Sequence, residues 1–263
     1  MRWLWELALS HKRLIFITGA EGSGTTLLRR LLAASPTCAS VGKGVAQVPA
    51  GAPCVRAFSA FNEANHRLWY QHATLDEHEV ARADMHARFA DISAFPEFDA
   101  VTHLVQKRSS PFDAPRGQRR PDLWDVLDLQ EDVRVLIIYR DPCSATYSAF
   151  RRGFDTDLGR LARLCEVNLT LLASQAAAIG PEKVKVVSYR ALCDAPSETL
   201  YSVADFCGLD AEAIKRAALV EGMSVDSDLR FRLELEPSAV DWLDSYFDHR
   251  RRLQWRFLVE NAR

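Results

Sequence analysis

The chain has 263 residues, 48% of them hydrophobic and 26% charged, which is the composition of an ordinary soluble globular protein with a core large enough to stand alone. A formal net charge of -2 excludes a general attraction to nucleic acid or to an anionic membrane surface, so any anion site must come from a local cluster of cations. The six cysteines, at 38, 54, 143, 165, 193 and 207, have neither CxxC spacing nor histidines at zinc-site spacing, and are expected to be reduced and mostly buried.

Residues 1 to 13 hold a short apolar stretch interrupted by Glu6, and no run approaches the ~20 residues of a membrane span, so a cytoplasmic protein is expected. The apolar run 14 to 18 predicts a buried parallel strand, and Leu27, Leu28, Leu31 and Leu32 recur at helical spacing. Between them Gly19, Gly22 and Gly24 make a tight loop whose amides face inward at the positive end of the helix, a cradle for phosphate. The glycine frame is that of a Walker loop, but Thr25 and Thr26 stand where the Walker lysine and its neighbour would be.

Pro36 stops the helix, and a loop with a short strand near 41 to 48 is predicted. Residues 58 to 91 predict one or two amphipathic helices carrying His66, His72, His78 and His86, each read as a solvated helix residue; Glu63 and His66 share a helix face and form a candidate base with its partner. The next strand ends near Lys107, at the edge of an open α/β sheet where ligands bind. His103 then lies about 13 Å down that strand and reads as a core histidine. An exposed loop over 109 to 122, a short helix over 122 to 129 and a strongly strand-like run over 133 to 139 follow. Asp141 is an N-cap and Pro142 a first helical residue, which puts Arg140 at the strand end and Ser148 two turns into the helix, both able to face one anion. A long helix from about 157 to 179, a strand over 184 to 188 and a helix near 211 to 221 precede a polar segment, 224 to 236, with Arg230 and Arg232. The last helix starts at Pro237, and the cations between His249 and Arg252 are expected to complement its dipole.

Gly22-Ser23-Gly24-Thr25-Thr26 resembles the 5′-phosphosulfate loop of the sulfotransferases that use 3′-phosphoadenosine 5′-phosphosulfate (PAPS), in which a Lys or Arg stands at the position of Gly22. Arg140-Asp141-Pro142 with Ser148 resembles that family's 3′-phosphate motif, and Tyr189, Pro196 and Phe206-Cys207-Gly208-Leu209 resemble its adenine-side segment, with Arg190 replacing a Glu. The resemblance covers roughly 14 to 34 and 101 to 209 and is closest to bacterial and protein-tyrosine-sulfotransferase-like members. In the latter, glutamates near the position of Gly44 supply the catalytic carboxylate; this chain has Lys43 in that stretch and no glutamate.

The resemblance implies a three-layer α/β/α domain of the P-loop-kinase-like class, here 1 to 263, with an acceptor-side helical insertion around 58 to 98. It implies transfer of a sulfonate from PAPS, leaving PAP, to a hydroxyl or amine of a small-molecule, glycan or peptide acceptor, with no metal required. Donor binding is assigned to Gly22, Ser23, Gly24, Thr25, Thr26, Arg140, Ser148, Tyr189, Arg230 and Arg232, and catalysis to Lys107, Lys43 and His66. Lys107 and Lys43 are expected to replace the basic residue missing at Gly22, so that an arginine there would rescue the loss of Lys43. A P-loop kinase-like enzyme and a non-catalytic PAPS- or PAP-binding scaffold are the alternatives.

Overall fold

The computed structural model describes residues 12–40, 53–70, 74–93, 101–109, 122–129, 131–220 and 225–262. The first half runs β1 (Arg13–Thr18), α1 (Thr25–Leu32), β2 (Cys38–Ser40), α2 (Pro53–Tyr70), α3 (Leu75–Ser93), β3 (His103–Lys107), α4 (Leu123–Leu127) and β4 (Val133–Tyr139). Then come α5 (Pro142–Arg151), α6 (Leu158–Ile179), β5 (Val184–Ser188), α7 (Tyr189–Asp194), α8 (Pro196–Cys207) and α9 (Ala211–Val220). A 3₁₀ turn (Val225–Asp228), α10 (Arg230–Glu234), α11 (Pro237–Tyr246), α12 (His249–Arg252), a second 3₁₀ turn (Leu253–Trp255) and α13 (Arg256–Asn261) complete it.

The five strands are all parallel in the order β2-β3-β1-β4-β5: the chain runs from β1 out to the edge at β2, returns to β3 beside β1, and then builds outward on the other side through β4 and β5. That reversal beside β1 opens a crevice at the carboxyl ends of β1, β3 and β4, where the glycine loop emerges. Alternation along β1 explains the layers. Leu14 and Phe16 join a core with α2, α3, α6 and the C-terminal helices, while Ile15 and Ile17 join a second core with α1, α8 and α9. This is the three-layer α/β/α arrangement of the P-loop-kinase-like class.

The N-cap and proline reading at the start of α5 is correct: Asp141 Oδ2 accepts from the Ser144 amide at 3.0 Å. Three local expectations are corrected. His78 is not solvated but fully buried, its Nε2 3.2 Å from Asp125 Oδ1, because α3 packs that face against α4. The C-terminal region is not one helix; the chain bends at Phe247, and Arg251 and Arg252 make side-chain contacts with Glu166 and Asp141 instead of capping a dipole. Part of the segment read as polar and irregular, 225 to 234, is a 3₁₀ turn followed by α10. The strand expected at 41 to 48 and residues 110 to 121 of the exposed loop expected over 109 to 122 lie outside the described residues, while Ser109, at the start of that loop, is buried and not exposed. Cys38, Cys143, Cys165 and Cys207 are buried free thiols, as expected. Among the described residues no helix is long and apolar enough to cross a membrane.

The α2–α3 hairpin flanks the crevice, and the His78–Asp125 contact fastens it to α4. Asp125 also closes a capping box with Asp122 at the start of α4. Replacing Asp125 by Ala leaves a buried imidazole without its acceptor and is expected to cost about 3 kcal/mol or more, read from the shift of the urea midpoint.

Candidate active site

The loop between β1 and α1 is shaped by two glycines in the left-handed region, Gly22 at φ 82° and Gly24 at φ 104°. A Cβ on Gly24 would lie 2.6 Å from the Tyr189 ring, so the loop is packed against the start of α7. Among the described residues no side chain caps α1, and its first-turn amides have no side-chain acceptor there. The Ser23 side chain is buried, and its hydroxyl has no partner among the described residues. Thr25 is buried with its hydroxyl 3.5 Å from that of Ser109, and Thr26 is half-buried. Uncapped amides and an unsatisfied buried hydroxyl at one helix N-terminus make an anion cradle.

Gly22 also explains why no cation stands in the loop. A Cβ there would lie 2.2 Å from the Ala145 carbonyl oxygen and 3.0 Å from the Ser148 Cβ, because the loop rests on the backbone of α5. An arginine at this position therefore clashes with fixed backbone, and the expected rescue by Gly22→Arg is corrected on that ground. Lys43 lies outside the described residues.

Arg140 follows β4 and is only 6% exposed. Its Nε donates to Asp228 Oδ1 at 2.6 Å, Nη1 to the Gly22 carbonyl at 2.9 Å, and Nη2 to the Ser227 carbonyl at 2.6 Å and hydroxyl at 3.2 Å. The guanidinium stacks over the Tyr189 ring at 4.3 Å, and the Tyr189 hydroxyl is 2.9 Å from that of Ser227. Arg140 thus ties together the loop, α7 and the 225 to 228 turn. It and Ser148 do line one cavity, of about 450 Å³, with Tyr189, Arg151, Arg152 and Arg230. Four arginines around one cavity give the local positive cluster that the net charge of the chain denies globally.

Arg232 is not part of this group. It makes a two-pronged ion pair with Asp244, at 2.7 and 2.9 Å, and lines a different cavity on the far side of the turn. It lies two positions along α10 from Arg230, roughly 200° around the helix.

Lys107 ends β3 half-buried, its register partner on β1 being Ile17. Burial lowers its pKa; the charge of Glu21 opposes that, and the charges of Arg108, Arg152 and Arg29 add to it. Arg108 is held to α2 through the Asn62 carbonyl and side-chain oxygen, both at 2.7 Å. His66 is exposed on α2, its pKa lowered by partial desolvation and by the charge of Arg108, which puts it on the α2 side of the crevice. His103 is a core histidine, as read: its Nε2 is 3.0 Å from the Cys207 carbonyl at the opposite end of β3. Sequence reasoning missed Glu21, Arg152, Ser227 and Asp228. Glu21 and Arg152 adjoin the two motifs, whereas Asp228 and Ser227 are far away in sequence and carry no local signal.

A family model described as the sulfotransferase family matches residues 14–213. No curated protein sequence matches the chain. Among solved structures, a sulfotransferase from Alicyclobacillus acidocaldarius aligns at 16% identity with a TM-score of 0.56, covering 94% of this chain and 95% of that one. The sulfotransferase domain from the curacin biosynthetic pathway aligns at 15% identity and TM-score 0.53, covering 93% and 98%. Sulfotransferase STF1 from Mycobacterium tuberculosis H37Rv aligns at 14% identity and TM-score 0.52, covering 94% and 79%. These likenesses are of fold, and the family match, which spans both the glycine loop and the Arg140 motif, carries the assignment: this chain belongs to the sulfotransferase family.

Proposed function

We propose that the protein transfers a sulfonate from PAPS to a hydroxyl or amine of an acceptor. The observation that carries this reading is the pairing of a lysine-free anion cradle with an arginine-lined cavity immediately beside it, joined by the Arg140 bond to the Gly22 carbonyl. A donor with two separated anionic groups matches two anion sites. The amides of Gly22 to Thr26 and the Ser23 and Thr25 hydroxyls would hold the 5′-phosphosulfate; Ser148, Arg152 and Arg230, beside the charge of Arg140, would hold the 3′-phosphate. Tyr189 would lie along the adenosine.

PAPS supplies an activated sulfonate, and the protein's task is to hold charge and geometry around its transfer. Negative charge grows on the oxygen that leaves sulfur, so fixed N–H dipoles and a nearby cation lower the barrier without any proton being moved there. We assign that part to Lys107, whose partly buried position among other cations leaves its field weakly screened. Lys43 and His66 are proposed as acceptor-side groups, and the α2–α3 hairpin as the wall from which the acceptor enters.

PAP is expected to bind without added Mg²⁺ and more tightly than ATP, and calorimetry that ranks Mg-ATP above PAP would turn the reading toward a kinase. Ser148→Ala and Arg230→Ala are expected to weaken PAP about fivefold and about tenfold with unchanged melting, as for loss of single hydrogen bonds to a charged group. Arg140→Ala differs in kind: it strands Asp228 and is expected to cost about 3 to 5 kcal/mol of stability as well as donor affinity, visible in the urea midpoint before any ligand is added.

Lys107→Ala is expected to lower PAPS turnover by about 10² to 10³ while PAP affinity changes little, because the lysine faces charge that develops in the transition state. The check is single-turnover PAP release beside a PAP titration. An equal loss in both would make Lys107 a donor-binding residue instead.

A further inference from the structure

The proposed sulfonate transfer, on which this inference rests, needs a group close to the donor that takes the acceptor's proton. An acceptor oxygen that bonds to sulfur must lose its proton, and a positioned carboxylate or imidazole within reach performs that step. Most carboxylates at this end of the sheet are already engaged. Asp141 caps α5, Asp228 holds Arg140, and Asp125 holds His78.

Glu21 is different. It belongs to the glycine loop itself and is 9% exposed, yet among the described residues its carboxylate has no hydrogen-bond or ion-pair partner. Its position is bounded on two sides. The β1–β3 register sets Ile17 beside Lys107 at the carboxyl edge of the sheet, four residues before Glu21, and Lys107 feels the Glu21 charge. On the other side, the next residue, Gly22, packs against Ser148, which lines the arginine-rich cavity. Glu21 therefore stands where the anion cradle meets Lys107. A negative charge in a loop that receives an anion opposes binding, so its presence calls for a role in the chemistry. Lys107, with the cations that act on it, Arg108 at the end of β3, Arg152 following α5 and Arg29 on α1, offsets that opposition.

We propose that Glu21 is the general base of the reaction. As the acceptor oxygen or nitrogen forms its bond to sulfur, its proton passes to a carboxylate oxygen of Glu21. The sulfur–oxygen bond to the 5′-phosphate breaks with its electron pair staying on the phosphate oxygen, which the loop amides and Lys107 face. Base and electrophile stabiliser are then neighbours, one on the loop after β1 and the other at the end of β3. The protonated carboxyl recovers by releasing the proton to solvent once product leaves.

The test uses the full chain and two readouts that move in opposite directions. Glu21→Gln is expected to bind PAP about tenfold more tightly in calorimetry, since one like charge is removed from beside the phosphate, while PAP release from PAPS with 4-nitrophenol as acceptor falls by about 100-fold or more. Glu21→Asp keeps the charge and is expected to bind PAP like the parent and to retain part of the rate. A merely structural role predicts weaker binding and a lower melting temperature in both variants, so that pattern overturns the inference, as does a Glu21→Gln protein that binds PAP no more tightly than the parent. Where 4-nitrophenol gives no turnover with the parent, the affinity comparison decides alone. A parent that binds no PAP sinks the donor reading itself, whereas a parent that binds PAP with an unchanged Glu21→Gln affinity sinks only the role of Glu21.

Discussion

The guanidinium of Arg140 is the point on which the site depends. It is almost wholly buried, and it touches three separate pieces of chain: its bonds run to Gly22 in the loop, 118 residues before it, and to Ser227 and Asp228 in the turn, 87 and 88 residues after it, with the Tyr189 ring beneath its plane. Burying a cation is unfavourable unless its donors are satisfied, and here a carboxylate at 2.6 Å and two carbonyls satisfy most of them. The consequence is rigidity. The loop cannot shift without breaking a charge-assisted bond, and the turn at 225 to 228 is fastened over the carboxyl end of β4 by the same group. Ser144 reinforces the turn by donating to the Asp228 carbonyl at 2.7 Å.

Much of this architecture was legible in the sequence because its causes are local. Parallel strands announce themselves by apolar β-branched runs, the loop by its glycines, and the start of α5 by Asp141 and Pro142, and all of these stand in the structure as read. What sequence could not supply was pairing over long distance. Arg140 was read as a free anion ligand, yet a partner 88 residues away already holds it, and the two arginines of α10, two positions apart, part company because Asp244 claims only one. His78 was misread for the same reason: whether a helix histidine is solvated depends on what packs against it, and α4 is 47 residues further along.

The missing cation at Gly22 is better understood as a geometric choice than as a loss. A side chain there would require α5 to stand off from the loop, since its Cβ would meet the Ala145 carbonyl at 2.2 Å. Close approach gives the loop a rigid floor and brings Ser148 to its edge, while the positive charge is moved outward to Lys107 and Arg152. Charge delivered from neighbouring elements has a longer reach and can be opposed by a carboxylate such as Glu21 without collapsing into a contact pair, which a cation within the loop would invite.

This division sets what each side of the crevice can do. On the Arg140 side the cations are numerous, partly exposed and anchored to α5 and α10, an arrangement that attracts and orients an anion from solution. On the Lys107 side they are partly desolvated and accompanied by one carboxylate, Glu21, which offsets part of their field. Strong attraction belongs where a ligand must be held, and a weakly screened field of mixed sign belongs where charge must shift during a reaction, because there a small redistribution is met by a large response. In the proposed reading the donor spans both regions, with its recognition at one end and its chemistry at the other, and the glycine loop joining them is the segment that Arg140 immobilises.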